Sequence, residues 1–164
     1  MRNLKKIAGL VPVACLAVMI LFAAGCKEDS TVTKVQVSFQ MINSTNGYDV
    51  YATLIESDKV VINESTGMPE YEEEDVLGMT TFSIIIGGTG QGTFEVPGGG
   101  AVAMVDESKT YWVMFFIDSD GDFEYETLSG ITSGDGMGVL EDQMLSGDTV
   151  LTADASADSV TYVP

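Results

Sequence analysis

Hydrophobic and polar positions alternate along much of the chain after residue 34. Positions 35, 37, 39 and 41 are Val, Val, Phe and Met, and polar residues stand between them. This two-residue period is typical of a β-strand with one buried face. The turn-forming sequence NSTNG follows at 43–47, where the Asn-Gly pair favours a hairpin. Residues 48–56 are therefore predicted to form the returning strand.

Further segments of the same kind follow at short intervals. In chain order, strands are predicted over 60–63, 76–86, 93–96, 101–105, 110–117, 149–153 and 159–163. The segment TYWVMFFI at 110–117 is apolar on both faces, which predicts a central position in its sheet. The glycine-rich residues 87–92 and the Gly/Asp/Ser-rich residues 129–138 are predicted links. VLEDQML at 139–145 is predicted to form a short helical turn.

This pattern predicts an all-β fold. About seven to nine short strands separated by Gly, Asp, Asn and Ser are typical of an antiparallel β-sandwich, either immunoglobulin-like or prealbumin-like. VPGGG at 96–100 leads through a predicted strand at 101–105 to YWVMFFIDSDGD at 111–122. A Pro-Gly turn, a strand and an Asp-rich loop in this order resemble secreted prealbumin-like β-sandwich domains, and the resemblance implies the same architecture.

The first 25 residues have a different organisation. MRNLKK carries three positive charges and no acid, and residues 7–22 are mostly apolar, with Pro12 among them. A charged start, an apolar run and small residues before a cut are the parts of a secretory signal peptide, here predicted as a signal helix. The apolar run is shorter than the roughly 20 residues of a membrane-spanning helix.

A cysteine ends this segment. Ala23, Ala24, Gly25 and Cys26 resemble the lipobox of bacterial lipoproteins, although Ala23 stands where that family prefers leucine. The resemblance implies cleavage before Cys26, a diacylglycerol on its thiol and an acyl chain on its amine. Two or three acyl chains give stable membrane anchoring. The alternatives are an ordinary signal peptide with an incidental cysteine, or an uncleaved anchor.

The predicted domain organisation follows from these two parts. Residues 1–25 are a predicted lipoprotein signal peptide, 26–34 the lipidated cysteine with a polar tether, and 35–164 a single β-sandwich domain. Asp after the cysteine resembles an inner-membrane retention signal in enterobacterial lipoproteins, so Lys27 favours the outer membrane. Lys followed by two acids, at 27–29, also resembles the surface-export tag of Bacteroidetes lipoproteins. The predicted location is the cell envelope, with the periplasmic or surface side left open.

Composition excludes several kinds of chemistry. After residue 25 the chain has 25 acidic residues, four lysines, no arginine and no histidine. Without histidine there is no Ser-His-Asp or Cys-His site and no His-ligated zinc, and without arginine there is no bidentate phosphate clamp. Such a surface repels nucleic acid and attracts cations, so no nucleic-acid partner is expected. Adaptation to high salt is an alternative origin of the charge.

The cysteines predict no disulfide within the domain. Cys15 leaves with the predicted signal peptide, and Cys26 is the predicted lipidation site. The domain therefore depends on packing, and on bound metal if there is any, for its stability.

DSDGDFEYE at 118–126 is the strongest candidate for chemistry. Asp118, Asp120, Asp122 and Glu124 alternate along it, and Gly121 permits a tight bend. Ca²⁺ takes about six to eight oxygen ligands, and alternating carboxylates in a tight loop can surround one ion. These four acids are therefore the predicted calcium ligands.

Two departures separate this loop from an EF-hand. Phe123 stands where the EF-hand glycine belongs, and Ser129 stands where its bidentate glutamate belongs. A calcium site in a β-loop would need further ligands, for which Asp135 and Asp142 are candidates. The alternative is an acidic hairpin turn in which Asp118 and Asp120 bond their own backbone.

Other segments offer weaker chemistry. EYEEED at 70–75 is predicted to be a solvated loop or a diffuse collector of cations, and GGTGQG at 87–92 lacks the spacing of a Rossmann or P-loop phosphate site. The aromatic residues of the central strand are predicted core or, alternatively, a sugar-stacking platform: Tyr111, Trp112, Phe115 and Phe116. Three tyrosines are candidates for surface contact: Tyr48, Tyr51 and Tyr71.

Three functions are compatible with these residues. The first is a lipid-anchored bacterial envelope protein whose β-sandwich is a non-catalytic binding module for a carbohydrate, peptide or protein, stabilised by Ca²⁺. The second is a structural or surface-coat acidic lipoprotein without a specific ligand. A glycosidase-like enzyme is the third and would need two carboxylates about 5 to 9.5 Å apart in a cleft. We expect no enzymatic activity, and we expect membrane contact through the lipid anchor.

Overall fold

The computed structural model describes residues 33–44, 48–84, 88–124, 129–156 and 160–164. The predicted signal peptide, Cys26 and most of the predicted tether lie outside these residues, as does the Asn46-Gly47 pair. Within the described ranges the regular structure is β-strand, apart from two single-turn 3₁₀ helices. These ranges contain no helix that is long and apolar enough to cross a lipid bilayer.

The strands are β1 (Lys34–Ile42), β2 (Tyr48–Glu56), β3 (Val61–Ile62), β4 (Pro69–Glu70), β5 (Val76–Ile84), β6 (Gly90–Thr93), β7 (Met104–Asp106), β8 (Thr110–Asp118), β9 (Gly136–Met144), β10 (Thr149–Asp154) and β11 (Val160–Tyr162). The 3₁₀ helices are Ser57–Lys59 and Glu73–Asp75. Eleven strands lie in the described residues, because β4 and β9 add to the nine segments predicted as strands.

Two sheets form the sandwich, which confirms the predicted all-β fold. The five-stranded sheet has the order β11-β9-β8-β2-β5 and is antiparallel throughout, with β8 in the predicted central position. In the four-stranded sheet, β1 lies between β10 on one side and β6 and β7 on the other. The β1–β10 pair is parallel. β9 finishes at the same end of the sandwich at which β1 begins. Because β10 follows β9, it starts at that end and runs in the same direction as β1.

The core lies between the two sheets and comes from the predicted alternation. The inward residues of β1, Val37, Phe39 and Met41, are fully buried. The Phe39 ring lies 5.3 Å from the Phe115 ring of the opposite sheet and 6.0 Å from the Phe82 ring, between centroids. Alternation along β1 therefore identified the buried face correctly.

Two local predictions are wrong, and a third, the link at 129–138, is too long because β9 begins at Gly136. The predicted helical turn at 139–145 is instead part of β9, which pairs with β8 and β11. The predicted glycine-rich link at 87–92 contains most of β6, Gly90–Thr93. A Cβ on Gly90 would lie 2.7 Å from the Phe82 ring, so a residue without a side chain is required where this strand packs on the other sheet. Long-range strand pairing overrides the local pattern in both places.

The two ends of the sandwich differ. At the lysine end, defined here by Lys34, Lys59 and Lys109, β1 begins, and the N–H of Glu107 donates to the carbonyl of Thr33 at 3.1 Å. At the acidic end, β8 finishes at Asp118 and β9 begins at Gly136. The chain therefore enters the described part of the sandwich at the lysine end, opposite the predicted calcium loop.

Candidate functional site

An acidic cluster, Asp118, Asp120 and Asp135, lies at the acidic end. Asp118 is the last residue of β8, and Asp135 directly precedes β9. These strands pair with Ile117 opposite Gly136, which brings the two aspartates together although 16 residues separate them in the chain. One carboxylate oxygen from each of the three residues lies within 4.8 Å of the others.

Asp118 shapes the loop that follows it. Its Oδ1 accepts hydrogen bonds from the N–H of Gly121 at 2.7 Å and of Asp120 at 3.3 Å. Its Oδ2 accepts one from the N–H of Phe123 at 3.1 Å. Gly121 has a φ of 81°, a backbone conformation that glycine adopts readily. The self-bonded turn expected for Asp118 is therefore present, and its carboxylate is buried at the centre of that turn.

Asp135 ties the start of the β8–β9 connection to its end. Its Oδ1 accepts hydrogen bonds from the Ser119 N–H at 2.8 Å and the Ser119 hydroxyl at 2.9 Å, and its Oδ2 accepts one from the Thr132 N–H at 2.7 Å. Burial by itself raises the pKa of Asp135, but these hydrogen bonds outweigh burial and hold the pKa below its ordinary value. The buried carboxylate is therefore kept ionised.

Asp122 lies beside the cluster. Loss of solvent raises the pKa of Asp122, and a hydrogen bond with Asp120 and the negative charges of Asp120, Asp118 and Asp135 raise it further. Gly130, with a φ of 83°, passes so close to the Asp122 carbonyl that a Cβ there would overlap it. Four carboxylates are thus crowded at this end of the sandwich.

The remaining predicted ligands are elsewhere. The backbone of Glu124 pairs with that of Ser129, and Glu124 is not part of the three-carboxylate group. Asp142 accepts a hydrogen bond from the indole N–H of Trp112 at 3.1 Å. Trp112 is near the start of β8, about 20 Å from Asp118 at the rise of an extended strand. Of the two extra candidates, the structure brings only Asp135 to Asp118 and Asp120.

The donor set favours a hard cation. The cluster offers carboxylate oxygens. Asp118 Oδ2 accepts one hydrogen bond and retains a lone pair for a metal, whereas Asp118 Oδ1 and Asp135 Oδ1 each accept two. The acidic end offers no imidazole, because the chain has no histidine. Oxygen-only ligation suits Ca²⁺ and does not suit zinc.

A shallow cleft of about 340 Å³ opens beside the cluster. Its lining includes Asp49, Ser83, Asp118 and Asp120. Asp49 stands opposite both Asp118 and Ser83 in the register of β2 with its neighbours, and the Ser83 hydroxyl donates to Asp49. Asp49 and Ser83 were not predicted as site residues, because only the register of three strands shows that they border the loop.

An aromatic cluster, Tyr51, Phe116 and Phe123, adjoins the acidic loop. The Phe123 ring lies 4.2 Å from the Phe116 ring and 5.0 Å from the Tyr51 ring, between centroids. All three side chains are half-buried. Because the N–H of Phe123 is bonded to Asp118, the fold of the acidic turn sets the position of this ring.

The predicted aromatic residues divide between two environments. Tyr111 and Phe115 are buried in the core, as predicted, and Trp112 is buried against Asp142. Phe116 belongs to the aromatic cluster, where it is available for stacking. Tyr71 is exposed, whereas the side chain of Tyr48 lies outside the described part of the structure.

Charge is distributed unevenly between the two ends. Lys109 Nζ lies 2.7 Å from a Glu56 carboxylate oxygen, and Lys59 Nζ lies 3.4 Å from an Asp75 oxygen. Lys34 is close enough to Asp106 for its charge to help lower the pKa of that carboxyl, after the hydrogen bonds from Ser108. The lysines of residues 33–164 all lie at this end, which leaves the acidic end without a positive side chain among the described residues.

Comparisons with models of protein families, with curated proteins and with solved structures find no match. We therefore infer the function from the residues of the site and their surroundings.

Proposed function

We propose that this protein is a lipid-anchored bacterial envelope protein whose β-sandwich is a non-catalytic binding module with Ca²⁺ at the acidic cluster. The observation that carries the proposal is the convergence of Asp118, Asp120 and Asp135 within 4.8 Å at an end of the sandwich without lysine. The aromatic cluster and the cleft adjoin this convergence and supply a surface for a ligand.

Electrostatics supports a cation at this position. The raised pKa of Asp122 reflects partial loss of solvent and the repulsion among neighbouring carboxylates, and a divalent ion reduces such repulsion. Asp135 accepts backbone hydrogen bonds that favour its ionised form, which is the form that binds Ca²⁺, and the Asp118 carboxylate also accepts backbone hydrogen bonds. Asp118 and Asp120, with Asp122 beside them, would hold the ion from the start of the β8–β9 connection, and Asp135 from its end.

The surroundings of the cluster favour a carbohydrate as the ligand. Sugar hydroxyls donate to carboxylates and coordinate Ca²⁺, while the apolar face of a sugar ring packs on aromatic side chains. Here the carboxylates of Asp49 and Asp120 line a cleft, and Phe123 connects the acidic loop to Tyr51 and Phe116. A peptide with hydroxyl and aromatic side chains is the competing occupant.

The proposed anchor would place the two ends of the sandwich at different distances from the membrane. A polar tether of about eight residues after Cys26 reaches at most roughly 26 Å. It would join the sandwich at Thr33, at the lysine end, and would leave the acidic end farther from the membrane. The absence of histidine and arginine after residue 25, and the engagement of Asp118 and Asp135 as acceptors, support a role in binding rather than proton transfer.

Calorimetric titration of the full chain in detergent tests the cation site. We expect saturable Ca²⁺ binding that Asp120→Asn abolishes and that Glu141→Gln, an exposed carboxylate on β9, leaves unchanged. Mg²⁺ at matched ionic strength is the control for general screening. Equal and unsaturable heats from both ions would contradict the proposal and favour the anionic surface-coat function.

A glycan array with and without Ca²⁺ tests the ligand class. We expect binding that requires Ca²⁺ and that Phe123→Ala weakens by about tenfold, the loss of one stacking contact. Val150→Ser, which changes an exposed residue of β10, is the control. Ca²⁺ binding without glycan binding would support the cation site. It would also indicate that the aromatic cluster and the cleft bind a peptide or protein instead of a glycan.

A further inference from the structure

The connection between β2 and β5 is much longer than the fold requires. These strands are neighbours that pair as far as Ile55 and Val76, and hairpins of this kind commonly close with about two to five residues. Residues 57–75 stand between them here, and residues 60–74, which include β3 and β4, are named the arm. Long connections in compact domains generally have a function of their own.

The arm is held in one shape at its base and its tip. At the base, Lys59 Nζ lies 3.4 Å from Asp75 Oδ1. At the tip, Asn63 Oδ1 accepts a hydrogen bond from the Ser65 N–H at 2.8 Å, and Asn63 Nδ2 donates to Glu70 Oε1 at 2.6 Å. Because these contacts order the arm in advance, less conformational entropy is lost when it binds a partner.

Three apolar side chains of the arm are largely exposed to solvent. Val61, Ile62 and Met68 are 64%, 47% and 51% exposed. Val61 and Ile62 are successive strand residues and therefore point to opposite faces of the ribbon. Since both are exposed, neither face of the ribbon packs closely on the sandwich at β3. These side chains contribute little to the folding core and remain available for contact with another molecule.

The negative charge of the arm restricts the kind of molecule that can bind it. Residues 60–74 contain no lysine or arginine, and the arm carries five exposed glutamates: Glu64, Glu70, Glu72, Glu73 and Glu74. A second copy of this acidic chain and an anionic lipid surface would both be repelled. A surface that presents lysine or arginine around an apolar strip would match both the charge and the exposed aliphatic residues.

We propose that the arm is a docking element for a partner protein with an apolar strip flanked by basic side chains. Val61, Ile62 and Met68 supply the apolar contact, and the glutamates steer the approach and select against acidic partners. This docking site lies outside the acidic cluster and does not depend on calcium or on a glycan.

Fluorescence anisotropy with synthetic peptides tests the proposal on the full chain in detergent. The probes are a fluorescent peptide of alternating Lys and Val, and matched peptides in which Glu replaces Lys or Ser replaces Val. We expect saturable binding of the Lys-Val peptide alone. The double variant V61S/I62S should weaken it by roughly tenfold, the effect of removing two partly exposed aliphatic contacts. Val150→Ser, 47% exposed on β10, should leave it unchanged.

Other results would overturn the docking element. If the Lys-Ser peptide bound as tightly as the Lys-Val peptide, the attraction would be due to charge alone. If V61S/I62S and Val150→Ser weakened binding equally, the arm would not be the contact. A concentration-dependent dimer that V61S/I62S removes would assign the arm to a second copy. Absence of saturable binding would also contradict the proposal, provided that melting curves show each variant to be folded.

Discussion

Asp135 is the residue on which the acidic end depends most. Its carboxylate is fully buried and accepts hydrogen bonds from the backbone N–H groups of Ser119 and Thr132, which lie at the start and near the end of the β8–β9 connection. A buried carboxylate is costly unless it is hydrogen-bonded, and a buried N–H without an acceptor is costly as well. Asp135 therefore has a structural role whether or not a cation binds beside it.

Asp135→Ala should lower the free energy of unfolding by about 3 kcal/mol, because it leaves the N–H groups of Ser119 and Thr132 without acceptors. Denaturant unfolding in EDTA measures this loss without any contribution from a bound cation. Asp120→Ala is the matched control, since Asp120 is exposed and accepts one hydrogen bond from the Thr132 hydroxyl. Its effect should stay below about 1 kcal/mol, and similar losses from both variants would contradict the structural role.

Asp154 should make stability depend on acidic pH. Hydrogen bonds from the Ser156 hydroxyl and N–H, and then from the Asn43 amide, hold the pKa of Asp154 below its ordinary value of 3.8. A folded-state pKa that is lower than the unfolded one stabilises the protein above the unfolded value, and this stability is lost as pH falls through the folded pKa. The carboxyl group should therefore titrate below 3.8.

NMR titration of the Asp154 carboxyl carbon measures that pKa directly. Ser156→Ala should raise the pKa, since it removes the hydroxyl donor, and Asp154→Asn should make the loss of stability in acid less steep. A wild-type pKa at or above 3.8 would contradict the hydrogen-bond network.

β9 is the element whose identity the sequence pattern misjudged. Gln143 pairs with Tyr111 and Leu140 pairs with Val113, so two residues of β9 stand opposite Trp112 alone. This irregularity is a β-bulge, and Asp142 within it has a φ of 48°. The bulge interrupts the two-residue period of β9, which is the reason that its alternation did not predict a strand.

The bulge should depend on the side chain at position 142. Aspartate tolerates a positive φ better than most residues, and its carboxylate accepts the Trp112 indole hydrogen bond. Asp142→Ala should lower the free energy of unfolding by about 1 to 2 kcal/mol, because it loses this bond and keeps the unfavourable φ. Asp142→Asn, which retains an acceptor, should remain close to wild type.

Denaturant unfolding followed by fluorescence measures these differences, since Trp112 is the only tryptophan in the chain. Glu141→Ala, at an exposed neighbouring position, is the control. Equal stability of Asp142→Ala and Asp142→Asn would show that the hydrogen bond to Trp112 contributes nothing.

Charge is the property that matters most at the scale of the whole molecule. The chain carries 25 acidic and seven basic residues, and the lysines of residues 33–164 all lie at one end of the sandwich. Repulsion among like charges opposes folding, and salt screens it over about 10 Å at 0.1 M. The acidic end should feel this repulsion most, because it has no lysine among its described residues to offset it.

The melting temperature should therefore rise by a few degrees when NaCl increases from about 10 mM to about 0.5 M in EDTA. Asp120→Asn should reduce this salt dependence more than Glu141→Gln, because Asp120 is surrounded by other carboxylates. Differential scanning calorimetry checks both expectations. A salt response that is equal in the two variants would show that the repulsion is spread evenly over the surface.

The local pattern of the sequence was sufficient for the fold class and for two of the three carboxylates of the acidic cluster. Alternation between apolar and polar residues identifies a strand and its buried face, so β1, β2 and β8 were predicted almost to their ends. The spacing of aspartates in DSDGD likewise marked Asp118 and Asp120, since both belong to one tight turn. Composition also comes directly from the sequence, and it shows the excess of acidic residues and the absence of histidine.

The tertiary structure alone decided which elements are neighbours. A two-residue period shows which face of a strand is buried and does not show which strand lies beside it. For that reason the parallel pairing of β1 with β10 and the position of Asp49 beside the acidic loop were beyond sequence reasoning. The sequence named Asp135 and Asp142 as candidate further ligands, and only the structure showed that Asp135 is the one that meets Asp118. Each of these placements depends on strand register between residues far apart in the chain, which the packing of the whole sandwich determines.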